Sequence, residues 1–228
     1  MIDIKVLLGV HLMETERGLL RIGISGQWEA SEFSQSLAAL DRLYALRFGL
    51  YLEKQELYET EEFADKLRSL QLSRMSRLDR RYARQAFARS LFHDFPRLVV
   101  DGRISEITQE LLEPSERLIV RRLIYGSPGI KDLAGIGEII GHLKDFLQFG
   151  IEHWSGRRKR SLEDDHQELE NRKLEIELAK GYVELADSLG YSAQEKRQLI
   201  AAVVFEQRPI ISLISSNKII SAEMADDL

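Results

Sequence analysis

Residues 127–190 constrain this chain most, because they read as two long helices joined by a basic break. Ser127-Pro128 resembles a helix start, with serine as N-cap and proline at the first helical position. From there Leu133, Ile136, Ile139, Ile140, Leu143, Phe146, Leu147, Ile151 and Trp154 fall on one stripe at about 100° per residue. Gly137, Glu138, Gly141, Asp145, Gln148 and Glu152 take the opposite face. The pattern predicts an amphipathic helix of about 26 residues, ~39 Å long. A stripe of that kind must cover a sheet, another helix, another subunit or a membrane surface.

Ser155-Gly156 breaks the pattern, and Arg157, Arg158, Lys159 and Arg160 follow. These cations suit the negative end of the helix just finished, while Glu163, Asp164 and Asp165 suit the positive end of the next. In that second helix Leu162, Leu169, Ile176 and Val183 recur every seven residues, the spacing of a coiled-coil seam. Two uses of these helices stay open, an intramolecular hairpin and self-association. For the second, the expected interface is Ile136, Ile140, Leu143, Leu147, Leu169, Ile176 and Val183.

Upstream, Ile2, Ile4, Val6, Leu8, Val10 and Leu12 alternate with a second set of residues, and Leu20, Ile22 and Ile24 resume the alternation after a turn. Period two predicts a β-hairpin with one buried face. Ser31 can cap a helix whose Phe33, Leu37, Leu40 and Tyr44 share a face, and Phe48 to Leu52 is ambiguous with a short strand. Leu98 to Val100 is a short apolar run, Asp101-Gly102 a turn, Ser105 to Leu112 a short helix, and Leu118 to Tyr125 reads as a strand. Further on, Ser192 and Glu195 have the spacing of a capping box. Pro209 is expected to end the helix they open, Ile210 to Ile220 to hold a short helix or strand, and Ala222 to Leu228 to be an acidic tail.

Charge is unevenly spread. The chain carries a formal net charge of −5, yet from Lys66 to Arg89 Asp79 is the lone acid among many cations. On a helix Arg74, Arg77, Arg81 and Arg84 would share a face and could follow phosphates or meet an acidic partner. A nucleic-acid-binding regulator is therefore an alternative reading. Peripheral membrane association through the Ile136–Trp154 face is another, against which stands a polar face with few lysines.

No motif for chemistry emerges. There are no cysteines, which leaves no disulfide, no thiol nucleophile and no cysteine-ligated zinc, and fits a reducing cytoplasm. The five histidines show no metal-ligand spacing. Gly135-x-Gly137-x-x-x-Gly141 has its third glycine one place late for a dinucleotide fingerprint, and the spacing for a P-loop also fails. No catalytic, cofactor-binding or metal-ligating residue is expected. The start of the chain alternates rather than showing a secretory pattern, and no apolar run approaches membrane-spanning length, so a cytoplasmic protein is expected.

Gly26-x-Trp28, Glu32-Phe33, the Leu37, Leu40 and Leu43-Tyr44 helix, and Tyr125-Gly-Ser-Pro-Gly129 together resemble a set of bacterial proteins from conflict or defence gene neighbourhoods. The resemblance implies an accessory or effector component and supplies no active site. The expectation is an α+β fold, with a small mostly antiparallel sheet packed by helices over 1–126 and an α-helical association region over 127–228. The expected function is a non-enzymatic protein-interaction module, homo-oligomeric through its two long helices.

Overall fold

The computed structural model describes residues 16–71, 99–100, 103–104, 114, 116–157, 176–177 and 179–225. In chain order the elements are β1 (Arg17–Ile24), α1 (Ala30–Gln71), β2 (Val99–Val100), β3 (Arg103–Ile104), β4 (Ile119–Ile124), β5 (Gly129–Ile136), α2 (Gly137–Arg157), α3 (179–188), α4 (Ala193–Ser215) and β6 (Ile219–Ala225). The fold class is α+β, as expected. Two compact units interleave along the chain, one drawn from Met1–Glu29, Glu113–Lys159 and Leu213–Leu228, the other from Ala30–Leu112 and Arg160–Ser212. The boundary expected at 126/127 instead falls between β4 and β5. Those strands are hydrogen-bonded neighbours, so a cut there would split a sheet.

The first unit is built on an antiparallel sheet in the order β4-β5-β1-β6. β1 alternates because its even-numbered side chains, Leu20, Ile22 and Ile24, are fully enclosed. Both of its edges are occupied, by β5 and by β6. The hairpin partner expected for β1, the alternating segment 2–12, lies outside the described residues. α2 packs on the face that carries Leu20. A Cβ placed on Gly18 would lie 3.0 Å from Gly137 Cα and 3.2 Å from Ile140 Cβ, so hydrogen at that position permits the close approach.

Three expectations need correction. The helix expected from Ser127-Pro128 begins only at Gly137, and Gly129–Ile136 is the strand β5. A central strand buried on both faces has no alternation to betray it, and Leu133 and Ile136 happen to continue the helical stripe. Ala222 to Ala225 is not tail but the end of β6, paired with β1 from Ile24↔Ile219 to Leu19↔Ala225. Pro209 does not end its helix, which runs on to Ser215. The chain turns there because Asn217 adopts φ 61°, with the Lys218 amide donating to Leu213 O at 2.8 Å and the Asn217 amide to Ile214 O at 2.9 Å. That is the hydrogen-bond pattern of a Schellman cap.

The second unit is helical. α1 runs 42 residues, through the stretch at Phe48 to Leu52 that was ambiguous with a strand. Residues 43–50 are buried without interruption, and a helix enclosed on all sides loses its amphipathic signature. α3 closes at Gly190 (φ 72°), where the Tyr191 amide reaches Ala186 O at 3.0 Å. α4 then opens with the expected capping box. The Glu195 amide donates to Ser192 Oγ at 3.3 Å, and the Ser192 amide donates to Glu195 Oε2 at 2.7 Å. By length and composition α4 is apolar enough to cross a membrane, but its Leu199, Val203, Gln207 and Ile210 form a buried stripe, as in a core helix. β2 and β3 form a separate two-stranded antiparallel pair, Val99↔Ile104 and Val100↔Arg103; the turn expected at Asp101-Gly102 lies outside the described residues.

Candidate functional site

β4 is an edge strand, and among the described residues only β5 pairs with it. Edge strands expose a row of backbone donors and acceptors, and soluble proteins commonly blunt such edges with charge, bulges or short length. β4 carries some of that protection. Its register shifts between Val120 and Arg122, so Arg121 is an extra, exposed residue at a bulge. Around that centre the strand is apolar and open: Val120 is 47% exposed, Leu123 49%, Ile124 44%, and Tyr125 just beyond is 66% exposed. Val120 and Leu123 lie opposite Leu133 and Lys131 on one face, Ile119 and Ile124 opposite Ala134 and Ile130 on the other. Apolar side chains therefore line both faces of the free edge.

The register of this edge is fixed by a line of charges across the sheet. Arg122, Asp132, Arg21 and Glu223 occupy neighbouring positions on β4, β5, β1 and β6. Arg21 donates from Nε to Asp132 Oδ1 at 3.0 Å and from its terminal nitrogen to Oδ2 at 3.2 Å, while Arg122 Nε donates to Oδ2 at 2.9 Å. The Asp132 side chain is 2% exposed. Burial pushes its pKa up, but the hydrogen bonds and charges of Arg21 and Arg122 outweigh this and hold it below the ordinary carboxylate value. Hydrogen bonding to Asp132, with its negative charge and that of Glu223, raises the Arg21 pKa against the opposing effect of burial.

On the other face of β5 sits Lys131, 1% exposed, its Nζ 4.0 Å from the centroid of the Trp28 ring. Desolvation lowers its pKa to about 7. A lysine tuned in this way can serve as a base or nucleophile where a substrate reaches it. Here the side chain is enclosed, so its surroundings are those of a packed interior. Two stretches singled out in the sequence, Gly26-x-Trp28 and Tyr125-Gly-Ser-Pro-Gly129, meet at this point. Trp28 covers Lys131, its Nε1 donates to Ser25 O at 3.0 Å, and the Gly26 amide (φ 74°) donates to Ser127 Oγ at 3.3 Å. The motif residues thus join the β1–α1 loop to the β4–β5 turn at one end of the free edge.

The residues expected at an oligomer interface divide into three groups. Ile136, Ile140, Leu143 and Leu147 are 0–5% exposed inside the sheet unit, where their stripe is already covered by the chain's own sheet. They are core, which corrects the expectation that they face a second subunit. Leu169 lies outside the described residues, Val183 is half-buried, and Ile176 stands 62% exposed. Arg74, Arg77, Arg81 and Arg84 all lie outside the described residues. The β4 edge itself was legible only as a strand at Leu118 to Tyr125. Its place at the sheet margin depends on β5, which the periodicity hid.

In the helical unit several polar side chains bind helix to helix. Tyr182 donates its hydroxyl to Leu43 O at 3.0 Å, and Arg47, one turn further along α1, donates to Gly181 O at 2.7 Å. The Arg47 guanidinium also lies 5.7 Å from the centroid of the Tyr182 ring. Tyr191 donates to Glu53 Oε1 at 2.6 Å, and Arg42 pairs with Glu206 at 2.7 Å. These contacts fix the α1 register against α3 and α4. Among the described residues no group of three or more His, Asp or Glu could hold a metal ion. Comparisons with protein-family models, with curated proteins and with solved structures find no match to this chain.

Proposed function

We propose that this chain is a protein-interaction module that accepts an extended segment of a partner along the free edge of β4. The observation that carries this reading is the open edge itself, with Val120, Leu123, Ile124 and Tyr125 each 44–66% exposed. An added strand would take up the outward backbone groups and cover these side chains, the recognition mode of strand addition. Covering the exposed half of a large apolar side chain contributes about 1 kcal/mol. Four of them, with a few backbone hydrogen bonds at about 1 kcal/mol net each, exceed the lower estimates of the entropic cost of association and suit a reversible complex. The charge line through Asp132 supports the reading, because it keeps the edge in register whether or not a partner is present. The same reading replaces helical self-association with strand addition, and the resemblance to bacterial conflict-system proteins suits an accessory component of this kind.

The test is selection of displayed random peptides on the intact chain, with every enriched clone then assayed on the doubly substituted Leu123→Asp, Ile124→Asp protein. Clones that bind the unaltered chain and lose binding on the folded double variant support the module. Failure to enrich any such clone, or binding indifferent to the edge, overturns it.

A further inference from the structure

The β4 edge also specifies what it takes, an inference that rests on the docking reading above. Read outward from the bulge, the strand is Ile119-Val120, then Arg121-Arg122, then Leu123-Ile124: two apolar residues, two cations, two apolar residues. Arg122 is half-committed, since its Nε is held by Asp132 at 2.9 Å while its side chain keeps 39% of its exposure. Arg121 is exposed and lies outside the line of paired charges, at the position the bulge adds. A strand laid beside β4 would therefore meet positive charge at its centre and apolar surface at both ends. From this charge pattern we infer that the occupant is an extended segment with acidic residues at its centre and apolar residues on either side.

A second copy of the chain fits the same edge poorly. Antiparallel pairing of two β4 strands about their common centre sets Arg121 of one against Arg122 of the other, twice over, and like charges directly opposite one another are destabilising. A slip that separates the arginines leaves apolar side chains unmatched at the ends. The bulge and the central cations thus refuse self-pairing while leaving the edge open to a partner of opposite pattern, which is how specificity by exclusion operates.

The experiment uses the full chain and three blocked synthetic peptides. Each has two valines on either side of a central pair, and the pair is glutamate, glutamine or lysine. Binding is followed by backbone amide shifts and titration calorimetry, on the unaltered protein, on Arg121→Glu and on the double variant Leu123→Asp, Ile124→Asp, each checked for folding by circular dichroism. The expected order on the unaltered protein is glutamate, then glutamine, then lysine, with about tenfold between neighbours, shifts confined to β4 and its flanks, and affinity for the acidic peptide falling with added salt. Arg121→Glu reverses that order. Equal binding of all three peptides, lost on the double variant, overturns the acidic occupant and leaves the docking edge standing. No binding of any peptide, or binding unaffected by the double variant, overturns both. A mass that doubles with concentration and returns to monomer in the double variant names a second copy as the occupant and overturns the inference.

Discussion

Lys131 and Asp132 are consecutive residues on opposite faces of β5, both about 1% exposed, and the two faces treat their charge in opposite ways. On the Asp132 face two guanidiniums close on the carboxylate and keep it ionised. On the Lys131 face the cation is set against the Trp28 ring, and desolvation drives its pKa down to about 7. One buried carboxylate is held ionised by its guanidinium neighbours; the other buried charge is opposed by desolvation, a cost that eases when the amine loses its proton. The helical unit shows a third treatment. Gln207 is 0% exposed, and neither end of its amide has a hydrogen-bond partner among the described residues. A neutral group left unsatisfied costs about 1–3 kcal/mol, less than an unpaired charge, so its presence is a smaller burden than either of the others would be alone.

The largest effect should come from the Lys131 face. The folded amine holds its proton less tightly than the unfolded chain's, whose ordinary value is 10.5. Above about pH 7 the unfolded state therefore binds more protons, and stability climbs with pH until that amine also deprotonates. Below that point both states are charged and the full penalty stands. The difference in unfolding free energy between the chain and a Lys131→Met variant should narrow by as much as about 4 kcal/mol across this window. Urea titrations at a series of pH values measure it; a pH-independent difference would show that the Trp28 face compensates its charge after all.

Next is Asp132→Ala, which leaves two arginines facing each other across β5. Removing one side of a buried ion pair costs about 3–5 kcal/mol, and partial exposure of Arg21 and Arg122 places this case near 3 or below. The same carboxylate predicts an acid limb. Its stabilising contribution is present above the ordinary carboxylate value of 3.8 and disappears as pH falls through the lower folded value. Chemical denaturation of the variant, and of the unaltered chain between pH 5 and 2, checks both statements.

Gln207→Met should then stabilise the helical unit by about 1–2 kcal/mol, since it removes an unpaired amide at similar volume. A loss of stability would mean that the amide is satisfied in solution. The smallest effect is expected of Tyr182→Phe. It deletes the hydrogen bond to Leu43 O in a site whose burial raises the phenol pKa despite the opposing charge of Arg47. The expected cost is about 1 kcal/mol, read from the urea midpoint, with the Arg47 bond to Gly181 O holding the helices in place.

Sequence patterns recovered what depends on local chemistry and missed what depends on enclosure. The Ser192–Glu195 box, the β1 alternation and the β4 strand all have signals that fit within a few residues, and all are present. β5 was missed because its flanks are covered on both faces and its two charged residues interrupt the apolar run. The extent of α1 was missed for a related reason: residues 43–50 are buried all round, so no polar face marks the period. The end of β6 was taken for a tail because Ala222, Glu223 and Ala225 have weak strand preference, and their pairing with β1 depends on a strand two hundred residues earlier. The β4 edge could be recognised only once its neighbours were known, since an edge is a property of the sheet and not of the strand.

The pairing of β1 with β6 has a consequence for how the molecule is made. Ile22 lies opposite Ala222, two hundred residues later. A ribosome presents β1 early, yet the strand must wait for almost all of the intervening chain before its second edge can be closed. During that interval its backbone groups are open to other nascent strands, and the contact with the largest sequence separation is the slowest to form. The helical unit, most of whose chain emerges in between, can begin to condense earlier. The second edge of β1 is therefore closed long after the strand is made, and substitutions in β6 should show themselves first as lower yield of folded protein during expression.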